Sequence, residues 1–413
     1  MNITKHFNTD KAFLNNIVIT IFFGIIVNLL NYVFTVFLAR NLIDVDFGLY
    51  NASLGIITLV QIPVIAIQTA ITKKVASNKN FNLSKFKLKS LTQLLGIGVV
   101  VSLLFFALGG YISDIANIPT TYIPVLTLVV FTAIVTPVAK GFLLGLEKIL
   151  SFNLIALLET LLKFVFGFVA IYLDAGMIVI ILSFALPQLL SSIFVLPFVK
   201  TKSSISSDKE IKLNYKQILL IFLTFLLLNI PFTLDLILVN PDIRASYGAL
   251  SLLGKIVYFA SITIGSLMIS KLANSKKELR KKTLLISIAV AGLTGICITI
   301  AYMFFSKEIV DIVFNGMYLE ISKYLVLYSL TMASYGVSYM VITSLLIDDS
   351  YVHILFLVLI SILQVVLYSV KNSTLYDAFL NQVIIYSVLT SFTIFILIFY
   401  IFKNGKKNPK RET

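Results

Sequence analysis

The sequence predicts an all-α, polytopic membrane protein of about twelve transmembrane helices arranged as two six-helix lobes. Three observations carry this reading. Hydrophobic residues make up 59% of the 413 and charged residues 13%, against about 45–50% and roughly 25% in soluble domains, so the apolar surface is too large for a water-surrounded core. The apolar residues fall in stretches of the length that crosses a hydrocarbon layer about 30 Å thick. The basic residues alternate from one connection to the next.

The apolar stretches lie at 14–38, 48–72, 90–112, 119–144, 150–173 and 176–199, and then at 217–239, 246–270, 283–305, 320–346, 352–370 and 378–402. The first begins after a polar stretch and lacks a small-residue cleavage pattern, so it is expected to remain as a helix rather than leave as a signal peptide. One set of connections, including both ends, carries 25 Lys and Arg; the other carries 4, namely Arg40, Arg244, Lys307 and Lys371. Positive residues stay on the cytoplasmic side of short loops, so a multi-pass protein of the cytoplasmic membrane is expected, with both termini in the cytoplasm. The net charge of +14 then reads as topology and contact with anionic membrane lipids, not as a nucleic-acid surface. The one long polar connection, with Ser203, Ser204, Ser206 and Ser207, divides an N-terminal lobe (1–200) from a C-terminal lobe (217–402) through a cytoplasmic linker (201–216), and a basic tail occupies 403–413.

Several function classes are disfavoured. His6, His353 and the single Cys297 are scattered, so zinc sites, disulfide frameworks and Cys/His nucleophile pairs are not supported. The stretch Gly248 to Ile256 has five residues between its glycines and Ile256 where a phosphate-binding loop needs Ser or Thr. A membrane glycosyltransferase would need an acidic site and a sizeable external loop. Asp348-Asp349, the nearest acidic pair, falls in a cytoplasmic turn between the tenth and eleventh spans.

Charged groups inside spans are expensive and point to function. They are Lys140, Glu159, Lys163, Asp235 and Lys255. Glu159 and Lys163 are four apart, the spacing of an ion pair on one helix face. At about 100° per residue, Tyr247, Ser251, Lys255, Tyr258, Ser261 and Gly265 share one face of the eighth span. The first span presents Asn28, Asn31 and Thr35, and the second presents Thr58, Gln61, Gln68 and Thr72. These stripes are expected either to line a hydrated passage or to glue helices together. If they line a passage, the amides of Asn28, Asn31, Gln61 and Gln68 offer hydrogen bonds to hydroxyls, and the rings of Tyr247 and Tyr258 offer flat faces for stacking. Lys255, Arg40 and Lys140 suit an anion. Asp235, with Glu159, is the acid suited to a coupling sodium ion or proton; no other cofactor is expected.

The halves repeat at an offset of 200: Phe34-Thr35 and Asp46-Phe47-Gly48-Leu49-Tyr50 align with Leu234-Asp235 and Ser246-Tyr247-Gly248-Ala249-Leu250. A parallel repeat of six spans is a transporter architecture. Ala39-Arg40-Asn41-Leu42 through Tyr50, the helix ending in Lys73-Lys74-Val75-Ala76, the run from Asp235 to Ile256, and Phe314-Asn315-Gly316-Met317-Tyr318 resemble the polysaccharide-exporting flippases of the MOP superfamily, such as the O-antigen flippases. Asn240-Pro241 stands where that family often has a lysine-bearing loop, and lipid II flippases of the superfamily usually have fourteen helices. The resemblance implies a MATE/MOP-like carrier with a cavity lined mainly by helices 1, 2, 7 and 8 and alternating access. Its implied cargo is a polyprenyl-pyrophosphate-linked oligosaccharide, moved to the outer leaflet for cell-surface polysaccharide biosynthesis, with Asn28, Asn31, Gln61, Gln68, Tyr247 and Tyr258 expected at the sugar and Lys255, Arg40 and Lys140 at the pyrophosphate. Polysaccharide-assembly proteins are the expected partners of a carrier that is itself a functional monomer. The alternative on the same fold is a cation-coupled MATE-type multidrug antiporter. The orientation is checked by cysteine labelling in intact cells: a cysteine at Asp174 should react only from outside and one at Ser204 only from the cytoplasm, and the reverse pattern inverts the topology.

Overall fold

The computed structural model describes residues 3–77, 82–198, 215–273, 277–345 and 353–405, with side-chain surroundings for 19–20, 22–72, 74–76, 82–197, 219–220, 222–261, 284–345 and 353–398. Most of the serine-rich linker, the Asp348-Asp349 turn and residues 406–413 of the tail lie outside the described residues, as do the surroundings of Gly265. Among the described residues the chain is helical and contains no strand.

The first half holds α1 (Ile3–Asn41), α2 (Asp44–Ser77), α3 (Leu83–Ala107), short α4 (Gly109–Ala116), α5 (Ile123–Val135), α6 (Pro137–Gly145), α7 (Ile149–Tyr172) and α8 (Gly176–Phe198). The second half holds α9 (Tyr215–Leu238), α10 (Arg244–Ala273), α11 (Lys277–Phe314), α12 (Ser322–Leu345), α13 (His353–Val370) and α14 (Leu375–Gly405). Each of the twelve apolar stretches falls on this series, with α5 and α6 forming one span that breaks at Thr136-Pro137. The third begins earlier than its apolar stretch because Asn82 caps α3, accepting a hydrogen bond from the Lys85 amide.

Ten spans are long and apolar enough on their own, and α9 and α10 meet at 96° across a short break. With 24 and 30 residues, each exceeds about 20 residues, the length needed to cross the bilayer, and together they are far too long for one crossing. They are therefore two spans joined at a corner. The corner is held by polar contacts: the Arg244 guanidinium donates to the carbonyls of Ile237 and Val239 at 3.3 and 3.1 Å, and Asn372 donates to Leu238 O at 2.7 Å. These satisfy carbonyls that a helix end leaves without partners.

Contacts divide the chain into two compact units, Met1–Phe222 and Leu223–Thr413. In the first, α2 packs on α5 and α6, α1 on α7, α3 on α5, and α8 on α5 and α7. Ile71, Val75, Val138, Phe142 and Leu143 form an apolar core at the α2–α6 contact. In the second, α10, α11 and α12 pack against one another, and α14 packs on α12 and α13. Residues such as Leu103, Phe106, Leu293 and Phe304 are exposed, as expected of lipid-facing positions.

Small residues set the tightest approaches, as in other membrane bundles. A Cβ on Gly254 would overlap the Tyr328 ring, whereas one on Gly292 would meet nothing within 4 Å. Gly254→Ala should therefore destabilise the protein by about 1–3 kcal/mol and Gly292→Ala should be near neutral, as read by thermal melting of the purified protein.

Candidate functional site

The intramembrane charges gather into two clusters, one in each unit. In the second unit, α9 carries Asp235 and α10 carries Tyr247, Ser251 and Lys255 on one face, because positions eight residues apart return to the same side of a helix. Asp235 is fully buried. Its Oδ2 accepts from the Tyr247 hydroxyl and its Oδ1 from the Leu236 amide, both at 2.9 Å. Lys255 Nζ lies 3.4 Å from Oδ2 and 3.5 Å from Oδ1, and 4.6 Å from the centre of the Phe232 ring.

The network extends inward. The Tyr368 hydroxyl on α13 lies 3.2 Å from the Tyr247 hydroxyl and 3.3 Å from Gln382 Oε1 on α14. Gln382, Gln364 and Tyr386 all donate to one carbonyl, that of Pro231 on α9, at 2.6, 3.1 and 3.2 Å. The chain of contacts thus returns to α9 one turn before Asp235. Pro231 itself donates no backbone hydrogen bond, and its neighbourhood on α9 is fixed by side chains of α13 and α14.

The tyrosine stripe of the eighth span exists, but it is packed inside the second unit instead of lining an open passage: Tyr247 is 0%, Ser251 1% and Tyr258 5% exposed. Tyr258 stacks on Tyr335 at 5.0 Å and contacts Phe232 at 4.5 Å. Both tyrosine rings are therefore occupied by protein partners in this conformation.

In the first unit the expected i,i+4 pair does not form. Glu159 on α7 pairs instead with Lys140 on α6 at 2.6 Å and accepts from the Ser191 hydroxyl on α8. Lys163 points to α1, where it donates to Asn31 Oδ1 at 3.0 Å and sits over the rings of Phe34 and Phe184 at 4.4 and 4.1 Å. Asn31 spends its amide hydrogen on Val27 O. The reason is directional: the neighbouring helices bring better partners to each group than its own helix does.

Asn28 is exposed and Gln61 and Gln68 are half-buried. Among the described residues none of these three amides has a hydrogen-bond partner. Arg40 is exposed in the last turn of α1, where a cation suits the helix dipole. Sequence reasoning missed Gln364, Gln382, Tyr328, Tyr368 and Tyr386. The signal available was a glutamine in each of two strongly apolar spans, 352–370 and 378–402.

Breaking a buried ion pair by removing one partner costs about 3–5 kcal/mol, and replacing both by apolar groups is often tolerated. Glu159→Gln should accordingly lower the melting temperature more than the double variant Lys140→Met with Glu159→Leu; equal losses would show that the pair is not the stabilising contact.

No protein-family model matches the sequence, and no curated protein sequence matches it. Solved structures do. The lipid II flippase MurJ in an inward closed conformation superposes with a TM-score of 0.72 at 13% identity, covering 92% of this chain and 86% of that one. An inward-facing multidrug resistance MATE family transporter of the MOP superfamily gives 0.71 at 16% identity, covering 92% and 96%. A second MATE structure gives 0.69 at 15% identity, covering 96% and 97%. The chain therefore has the all-α, two-lobed membrane fold of these flippases and transporters.

Proposed function

We propose that the protein is a flippase that moves a polyprenyl-pyrophosphate-linked oligosaccharide from the cytoplasmic to the outer leaflet by alternating access, with both termini in the cytoplasm. The observation that carries this reading is the balance of charge within the spans. The two acids in span interiors, Asp235 and Glu159, each hold a lysine, and Lys163 is a further buried cation whose contacts are an amide oxygen and two rings. That excess is positive. It suits an anionic cargo and not the cationic drugs of a multidrug antiporter, which remains the second reading because the MATE fold is equally close.

Lys255 is the cation assigned to the pyrophosphate, with Arg40 as a second contact near the external end. Lys140 contributes less because Glu159 holds it at 2.6 Å, whereas Lys255 stands 3.4 Å from Asp235. Asn28, Gln61 and Gln68, with unspent hydrogen-bonding capacity, are assigned to the sugar, while Asn31 is already committed to Lys163. Asp235 is the ion-coupling acid. Outward movement of an anion across an inside-negative membrane gains about 2.3 kcal/mol per charge per 100 mV, so a dianionic headgroup can move without ATP.

In reconstituted vesicles Lys255→Gln should lose binding of lipid-linked pyrophosphate, and Gln61→Ala or Gln68→Ala should each weaken transport modestly, since one net hydrogen bond contributes about 0.5–1.5 kcal/mol. Undiminished binding and flipping by Lys255→Gln would hand the assignment to the drug-antiporter reading.

A further inference from the structure

The Asp235–Lys255 pair is built so that one member can leave. Lys255 Nζ stands at the outer limit of hydrogen bonding from both carboxylate oxygens, at 3.4 and 3.5 Å, whereas Leu236 N–H and Tyr247 O–H each donate at 2.9 Å. Two neutral donors fixed in place thus satisfy Asp235 without the lysine. Exposure divides the same way: the Lys255 side chain is 10% exposed and that of Asp235 is 0%. The lysine is thus the only member of the pair with any exposure.

If Lys255 leaves, the carboxylate keeps its two hydrogen bonds of 2.9 Å and loses the two longest ones together with the compensating charge. An unpaired buried carboxylate is the costly state. A proton is the simplest remedy. Both oxygens already face donor hydrogens, which a metal ion would have to displace. The network also has room for the new hydrogen. With Asp235 protonated, the carboxyl donates to the Tyr247 oxygen, Tyr247 donates to Tyr368 at 3.2 Å, and Tyr368 donates to Gln382 Oε1 at 3.3 Å.

We propose that the phosphate of an anionic lipid at Lys255 and a proton at Asp235 bind as a linked pair: Lys255 exchanges Asp235 for the anion, and Asp235 takes a proton from water as it loses the lysine. This rests on the assignment of Lys255 as the phosphate-binding cation. Binding couplings are reciprocal, so acid favours the anion and the anion draws in a proton. The titratable groups facing Asp235 are Lys255 and Tyr247 on α10, Tyr328 and Tyr335 on α12, Tyr368 on α13 and Tyr386 on α14. Phenols in water titrate near 10, above the range tested, which leaves the Asp235–Lys255 pair to respond.

The test uses the full chain in lipid nanodiscs with farnesyl pyrophosphate as the probe, measuring affinity at pH 6 and pH 8, in sodium or choline salt, and proton uptake in weak buffer. The parent should bind about tenfold more tightly at pH 6 and take up a proton with the probe. Asp235→Asn, whose amide oxygen still accepts from Tyr247, should bind tightly at both pH values and take up none beyond the probe's own titration, which is common to both proteins. A merely structural Asp235 predicts the opposite, weaker binding in the variant. The exchange is overturned if the parent and Asp235→Asn show the same pH dependence, if sodium and not pH moves the affinity, or if Asp235→Asn binds more weakly than the parent at pH 8. Should Asp235→Asn not accumulate, Asp235→Ser also keeps an acceptor for Tyr247 and is read by the same criteria. Lys255→Gln separates the two readings. If it binds the probe as well as the parent, both the flippase assignment and the exchange fall; if it loses binding while the parent shows no proton linkage, only the exchange falls.

Discussion

Hydrocarbon offers no hydrogen bonds, and the rest of the structure follows from that constraint. Every polar group inside a span must find its partner within the protein or pay the cost of leaving water unpaired. The second unit meets this by making one continuous polar system. Asp235, Tyr247, Tyr368, Gln382 and the Pro231 carbonyl form a circuit that leaves α9 and returns to it. The Pro231 carbonyl is the point where it closes, accepting from Gln364 on α13 and from Gln382 and Tyr386 on α14.

The first unit solves the same problem with charge. Its Lys140–Glu159 pair crosses from α6 to α7, and Lys163 is held by an amide oxygen and two aromatic faces. Aromatic faces attract a cation through their quadrupole, so Phe34 and Phe184 act as polar partners even though composition counts them as apolar. Both units bury a lysine–acid pair, and the second extends its pair into a chain of phenols and amides.

The spans and their number were legible in the sequence because hydropathy reports the solvent of a helix directly. Asp235 and Lys255 were also legible as residues, since a charge among apolar neighbours stands out at once. Their partners were not. Periodicity describes one helix at a time, so it pairs Glu159 with Lys163 four residues on and cannot see Lys140 across the interface. It placed Tyr247 and Tyr258 on the correct face but could not say what that face meets, and the structure answers with Asp235 and Tyr335. Gln364 and Gln382 went unread because a single amide in a span carries no period.

The corner between α9 and α10 has a mechanical consequence. Arg244 belongs to α10 but ties off the carbonyls of Ile237 and Val239 at the end of α9, while Asn372 secures Leu238 from outside the corner. The two helices are therefore arms of a braced angle of 96°, with Asp235 on one arm close to the brace and Lys255 on the other, three turns along. A braced angle transmits rotation as a unit and resists opening. In the exchange proposed above, separation of the acid from the lysine then falls to the lysine's own four-carbon stem.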